Sequence, residues 1–134
     1  MPIALVVGFM LAPVEYAILG PPAWIPENTI FNLAVLTLVM ILFVGLAEEL
    51  MFRALIQTHL EKLLNPWIGL FLTALLFGLM HGVWTSYREL VFTFAAGLLF
   101  GYIYRRTKNL PFVAVLHGLE DVFLFGLLPF IWPE

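Results

Sequence analysis

The chain has 134 residues, of which 63% are hydrophobic and only 11% charged, whereas soluble domains carry roughly 25% charged residues. There is too little polar side chain here to cover a globule in water, and the formal charge of −3 argues against a nucleic-acid partner. No cysteine is present, which excludes disulfides, iron–sulfur clusters and thiol nucleophiles.

Hydrophobic runs long enough to span a bilayer, roughly 20 residues each, divide the chain into about five stretches. The first covers residues 3–19, is interrupted by Pro13 and Glu15, and ends at Gly20-Pro21-Pro22. Its start has no basic n-region, so a cleaved signal peptide is not expected. That start is either the first helix or the cut edge of a longer protein. The second stretch is apolar over residues 30–47, with Asn28 or Thr29 placed to cap it, and runs on through Glu48, Glu49 and Arg53 towards Lys62. The third follows Asn65-Pro66, with Pro66 suited to a first helical turn, and reaches His81. The fourth covers residues 90–104 and stops at Arg105-Arg106-Thr107-Lys108. The fifth covers residues 110–132 with His117, Glu120 and Asp121 in its middle. No internal repeat or low-complexity linker breaks the pattern. The expected fold is all-α, one membrane-embedded domain over residues 1–134 forming a polytopic bundle of about five transmembrane helices.

Charge asymmetry orients it. Lys62 and the group Arg105, Arg106 and Lys108 fall in turns on one side, which the positive-inside tendency makes cytoplasmic. The opposite side holds only Arg88 among basic residues, beside Glu27, Glu89 and Glu134. Trp24, Trp67, Trp84 and Trp132 all fall at helix ends, as an interfacial aromatic belt requires. Gly78-xxx-Gly82 and Gly97-xxx-Gly101 offer close helix contacts. The expected location is the plasma membrane, with lipids and a peptide or membrane-protein substrate as partners.

Ionisable side chains near mid-bilayer are expensive and are functional candidates by default. Here they are Glu48, Glu49, Arg53, His81, His117, Glu120 and Asp121. At a rise of about 1.5 Å per residue, Glu48 lies about 21 Å from Lys62, His81 about 22 Å from Pro66 and Asp121 about 18 Å from Asn109. Three helices thus bring acid or imidazole groups to one level. Glu49 and Arg53, at i and i+4, are set for a structural ion pair. Glu48, about 100° around the helix, points elsewhere. Phe77 and His81 share a face, as do His117 and Asp121. The structural alternatives are a core histidine bonded to a neighbouring carbonyl for His81 and a plain intrahelical bond for His117 with Asp121. No role falls to Glu120, and His59 is expected to be solvated near the membrane surface.

A carboxylate in such a site suits a general base acting on water. An imidazole opposite it orients that water, and a second His–carboxylate pair either stabilises an oxyanion or binds a metal. The soluble zincin motif is absent, and no serine is paired with a base. Hydrolysis by activated water is the chemistry left.

These residues also form a pattern. Glu48-Glu49-Leu50-Met51-Phe52-Arg53 fits E-E-x-x-x-R, Phe77-Gly78-Leu79-Met80-His81 fits F-x-x-x-H, and His117-Gly118-Leu119-Glu120-Asp121 fits H-x-x-x-(N/D). In this order, on successive membrane helices, they resemble the CPBP family of CAAX proteases and bacteriocin-processing enzymes, which includes type II CAAX prenyl endopeptidases. The resemblance covers residues 47–123. It implies an intramembrane endopeptidase with Glu48 as base, His81 its partner on the water, and His117 with Asp121 as the oxyanion or ligand group. Glu49 and Arg53 would support the helix segment. A divalent metal such as zinc would take Glu48, His81, His117 and Asp121 as candidate ligands, while a metal-free site needs none. The CaaX endopeptidase pattern ends in Asn where Asp121 stands, so its substrate is not carried over. Two other classes compete: a bis-histidine haem protein using His81 and His117, and a proton-coupled transporter. The first leaves the Glu-Glu-x-x-x-Arg run unexplained, and the second lacks an inverted repeat.

Overall fold

The computed structural model describes residues 2–83 and 85–132. Trp84 and Glu134, assigned above to a helix end and to the less basic side, lie outside the described residues. Five helices account for nearly all of the rest: α1 (Pro2–Leu19), α2 (Ile30–Leu63), α3 (Pro66–Gly82), α4 (Tyr87–Thr107) and α5 (Leu110–Ile131). No strand occurs among the described residues. The all-α polytopic bundle expected from the sequence is what forms.

The helix boundaries follow from local chemistry. Gly20, at φ 51°, takes the left-handed turn that ends α1, and its N–H donates to the Tyr16 carbonyl. Thr29 caps α2, its Oγ1 accepting from the Asn32 N–H. The Asn65 side chain caps α3 with Pro66 in the first turn. Lys108 closes α4 in the left-handed conformation, and Asn109 caps α5 through the Phe112 N–H. The fourth helix begins three residues before the apolar run that announced it. Ser86 caps it by accepting from the Glu89 N–H at 3.2 Å. Glu89 therefore lies in the first turn of α4, only 2% exposed, and not in a solvated loop. Arg105 and Arg106 likewise belong to the last turn of α4.

Three stretches have one extra residue per turn: the π-helical segments Met40–Gly45 and Leu50–Gln57 in α2, and Phe123–Leu127 in α5. Such insertions shift the phase of everything beyond them and are frequent at functional sites. A reading based on a 3.6-residue period does not reveal them.

Contacts divide the chain into two compact units, with boundaries inside α2 at Ala47/Glu48 and inside α5 at Val113/Ala114. Unit 1 comprises the described residues of Met1–Ala47 and Ala114–Glu134. Its core joins Ala12 and Tyr16 of α1 to Leu124 and Leu128 of α5. A second cluster joins Ile25, Leu36 and Met40 to Val122. Gly118 lets α5 approach α2 closely: a Cβ there would stand 2.7 Å from the Ile41 Cα. At one end of this unit Trp24 stacks on Phe125 with centroids 4.3 Å apart, and the Tyr16 hydroxyl donates to the Trp132 carbonyl.

Unit 2, Glu48–Val113, is built on the α3–α4 hairpin packed against the C-terminal half of α2. Both small-residue pairs sit in its contacts. A Cβ on Gly78 would meet the Leu90 carbonyl oxygen at 2.9 Å, and one on Gly101 the Leu70 Cδ1 at 2.5 Å. The Gln57 Nε2 donates to the Gly101 carbonyl and to Glu61, and Lys108 pairs with Glu61 at 3.8 Å. The α2–α3 and α4–α5 turns therefore share one end of the unit, as the charge pattern requires.

Outward faces are apolar. Phe31, Leu38 and Phe43 of α2 are exposed, as are Ile68 and Phe71 of α3 and Val91 of α4. Contiguous apolar exposure on this scale is foreign to soluble monomers and fits contact with lipid chains. Close helix approach is then the main source of association, because lipid is as apolar as leucine. Gly82 packs directly on the Leu90 backbone, so a methyl there displaces α4. Gly82→Ala is expected to destabilise the hairpin by about 1–3 kcal/mol. The measurement is the thermal midpoint of the detergent-purified protein. A midpoint equal to the wild type's contradicts the packing argument.

Candidate active site

In unit 2, α2 carries two adjacent glutamates that fall into different surroundings. Glu49 is fully buried and is held by Arg53, whose Nε donates to its Oε2 at 2.6 Å and whose Nη2 donates to its Oε1 at 3.3 Å. Both side chains are 0% exposed. This is the expected i,i+4 pair, in its two-pronged form. The guanidinium also lies over the Phe77 ring, Cζ 4.9 Å from the centroid. Its Nη1 is buried with no hydrogen-bond partner among the described residues.

Glu48 points away from this pair. Its Oε2 lies 3.5 Å from Nε2 of His81, and the two side chains are 23% and 27% exposed. The α2 and α3 groups expected at one depth therefore meet. The ring of His81 is fixed from its other side, where Nδ1 is 2.9 Å from the Phe77 carbonyl. A carbonyl can only accept, so Nδ1 carries the proton and donates it. In neutral His81, Nε2 is then an acceptor facing Glu48. The carbonyl contact that marks an ordinary core histidine here sets the tautomer of a candidate catalytic one. Phe77 contributes more than its carbonyl. Its ring is 4.4 Å from the imidazole, 5.0 Å from Phe52 and beneath Arg53.

In unit 1, α5 carries His117 and Asp121 on one face, with Nε2 and Oδ2 3.7 Å apart and the side chains 6% and 11% exposed. That separation is too long for a direct hydrogen bond. Glu120 is also buried at 5%, and the α1 backbone at Gly8 approaches it closely. His59 is exposed, as expected, with Nδ1 on the Leu55 carbonyl.

Sequence reasoning missed the burial of Glu89, Gln57 and Glu15, which are 2%, 0% and 7% exposed. The first had a signal: Ser86-x-x-Glu89 is the spacing of a capping box. Gln57 had none, because its burial depends on Gly101 of a different helix. A divalent ion such as zinc needs at least three protein donors. Within neither unit do three His, Asp or Glu side chains gather in that way among the described residues.

The fold is a membrane-type helical bundle in which Glu48 and His81 of unit 2 face each other. Residues 30–123 match the family model described as type II CAAX prenyl endopeptidase Rce1-like. No curated protein and no solved structure matches the chain. The match spans well over half of the sequence, and the chain belongs to this family of integral membrane CAAX proteases. It is accordingly a peptide hydrolase of the membrane acting on a peptide or protein substrate. The residues quoted for the resemblance all lie inside the matched region.

Arg53 generates a folding prediction. Arg53→Ala leaves Glu49 as a buried uncompensated charge, at a cost of about 3–5 kcal/mol. The yield of monodisperse protein in detergent is expected to fall sharply, and replacing the pair together by Glu49→Leu and Arg53→Met to restore it. An Arg53→Ala variant that folds normally but is inactive moves Arg53 into the catalytic group.

Proposed function

We propose that the protein is an intramembrane endopeptidase in which Glu48 and His81 activate a water molecule. The observation that carries this reading is the 3.5 Å separation of Glu48 Oε2 and His81 Nε2. With Nδ1–H committed to the Phe77 carbonyl, an ionised Glu48 and a neutral His81 present two acceptors to each other. Once the two side chains part by roughly 1 Å, a water donating one hydrogen to each satisfies both and has its oxygen lone pairs free for attack.

Attack on the scissile carbonyl forms the new C–O bond while Glu48 takes a proton from the water. Collapse of the tetrahedral intermediate breaks the C–N bond. Glu48 returns its proton to the leaving amine, giving a carboxylic acid and a free amine. By the family motif, His117 and Asp121 are assigned to the developing oxyanion. In that role His117 and Asp121 position the scissile carbonyl, with His117 supplying an N–H. Glu49 and Arg53 keep the α2 segment folded around Glu48. No step runs through a metal. The substrate class is a peptide segment of a membrane or membrane-associated protein. The family's name refers to prenylated CAAX ends, but Asp121 stands where that pattern has Asn, and the prenyl group is not carried to this chain. The plasma membrane is the proposed location.

Glu48→Gln keeps shape and loses basicity. It is expected to fold as the wild type and to lose about 10²–10⁴-fold in rate. The readout is the formation of new peptide termini in membranes containing either protein. Residual activity within tenfold of the wild type removes Glu48 from the base role.

Asp121→Asn separates metal from metal-free catalysis. Asparagine is a weaker cation ligand, yet its amide both accepts and donates hydrogen bonds. The variant is expected to retain substantial activity, and chelators to have little effect on the wild type. An inactive variant rescued by zinc or another divalent ion overturns the metal-free reading.

A further inference from the structure

Away from the glutamates, unit 2 has a cavity of about 380 Å³ lined by Trp67, Tyr102, Arg105 and Arg106. Trp67 is in the first turn of α3, and the two arginines are in the last turn of α4. Trp67 and Tyr102 stack at 6.4 Å with their planes 16° apart, and the Arg105 guanidinium lies over the indole with Cζ 4.2 Å from its centroid. These contacts fix the plane of the guanidinium. They leave its Nη1 buried with no hydrogen-bond partner among the described residues.

The charges here are uncompensated. Lys108, the next cation along the chain, is paired with Glu61 at 3.8 Å. Neither Arg105 nor Arg106 has a carboxylate partner among the described residues, and no acidic side chain lines the cavity. A stacked arginine with a buried free N–H beside a second arginine needs an anion with several acceptor oxygens. The planar fork of arginine matches phosphate in this way.

Snorkelling of Arg105 along the Trp67 ring would explain the stacking. It would leave the buried Nη1 without an acceptor. The position favours phosphate over other anions, because interfacial tryptophan and tyrosine mark the headgroup level. Lipid phosphates are concentrated at that level, and basic pockets between helices capture them.

We infer that Trp67, Tyr102, Arg105 and Arg106 form a binding site for a phosphate anion, supplied by an anionic phospholipid headgroup or by a soluble phosphate. None of the four belongs to the proposed catalytic set, so the inference stands apart from the proteolytic reading.

The test uses the full chain purified in detergent. Native mass spectrometry with phosphatidylglycerol or phosphatidylcholine reports the lipid arm, and line broadening of inorganic phosphate in ³¹P spectra reports the soluble arm. Preferential retention of phosphatidylglycerol by the wild type, reduced to the phosphatidylcholine level in Arg105→Gln/Arg106→Gln, establishes a lipid site. Broadening of inorganic phosphate that the double variant abolishes establishes a soluble-phosphate site. Arg106 is exposed, so Arg106→Gln alone should fold normally and still weaken retention about fivefold, the effect of one surface cation. Equal binding of both lipids with no phosphate broadening overturns the inference. So does unchanged binding in Arg106→Gln.

Discussion

The Glu49–Arg53 ion pair is the constraint around which unit 2 is organised. Two formal charges with no exposure neutralise each other there through two hydrogen bonds. The pair turns one face of α2 inward, and the backbone then fixes the direction of Glu48. Arg53 also lies over Phe77, whose carbonyl holds His81 and whose ring touches the imidazole. Glu49, Arg53, Phe77, His81 and Glu48 thus form a closed circuit of contacts across two helices. The ion pair and His81 meet at Phe77.

Much of this was legible in the sequence because it rests on short-range rules. The i,i+4 spacing of Glu49 and Arg53, the caps at Thr29 and Asn65, and the excess of apolar residues all act within a few positions. The depth estimate that brought Glu48 and His81 to one level needed only helical rise and the placement of two turns. What stayed hidden depends on other helices or on departures from the regular period. The π-helical segment Leu50–Gln57 contains Arg53 and follows Glu49 directly, yet nothing in its composition distinguishes it. Gln57 is buried because Gly101 offers it a carbonyl. Arg105 reads as a topogenic surface charge until its guanidinium is found over Trp67. Glu89 was the one legible miss, since the capping spacing from Ser86 was on view.

Two His–carboxylate pairs occur in the chain, and their surroundings differ. Glu48 and His81 retain about a quarter of their exposure, whereas His117 and Asp121 retain about a tenth or less. A group that must exchange water at each turnover needs access to it. A group that only stabilises charge gains from a dry setting, because its electrostatic effect grows as the dielectric constant falls. The more exposed pair is the one proposed for the base, and the more enclosed pair the one proposed for the oxyanion.

The proton count at Glu48 and His81 gives the mechanism its direction. A protonated His81 facing an ionised Glu48 would form a direct charge-assisted hydrogen bond, which prefers about 2.7–2.9 Å. The observed 3.5 Å is longer than that. With Nδ1–H spent on the Phe77 carbonyl, neutral His81 has no proton to give to Glu48. Glu48 lies outside the Glu49–Arg53 pair and faces His81, and in the proposed mechanism it accepts the proton of a water that the fixed lone pair of His81 turns.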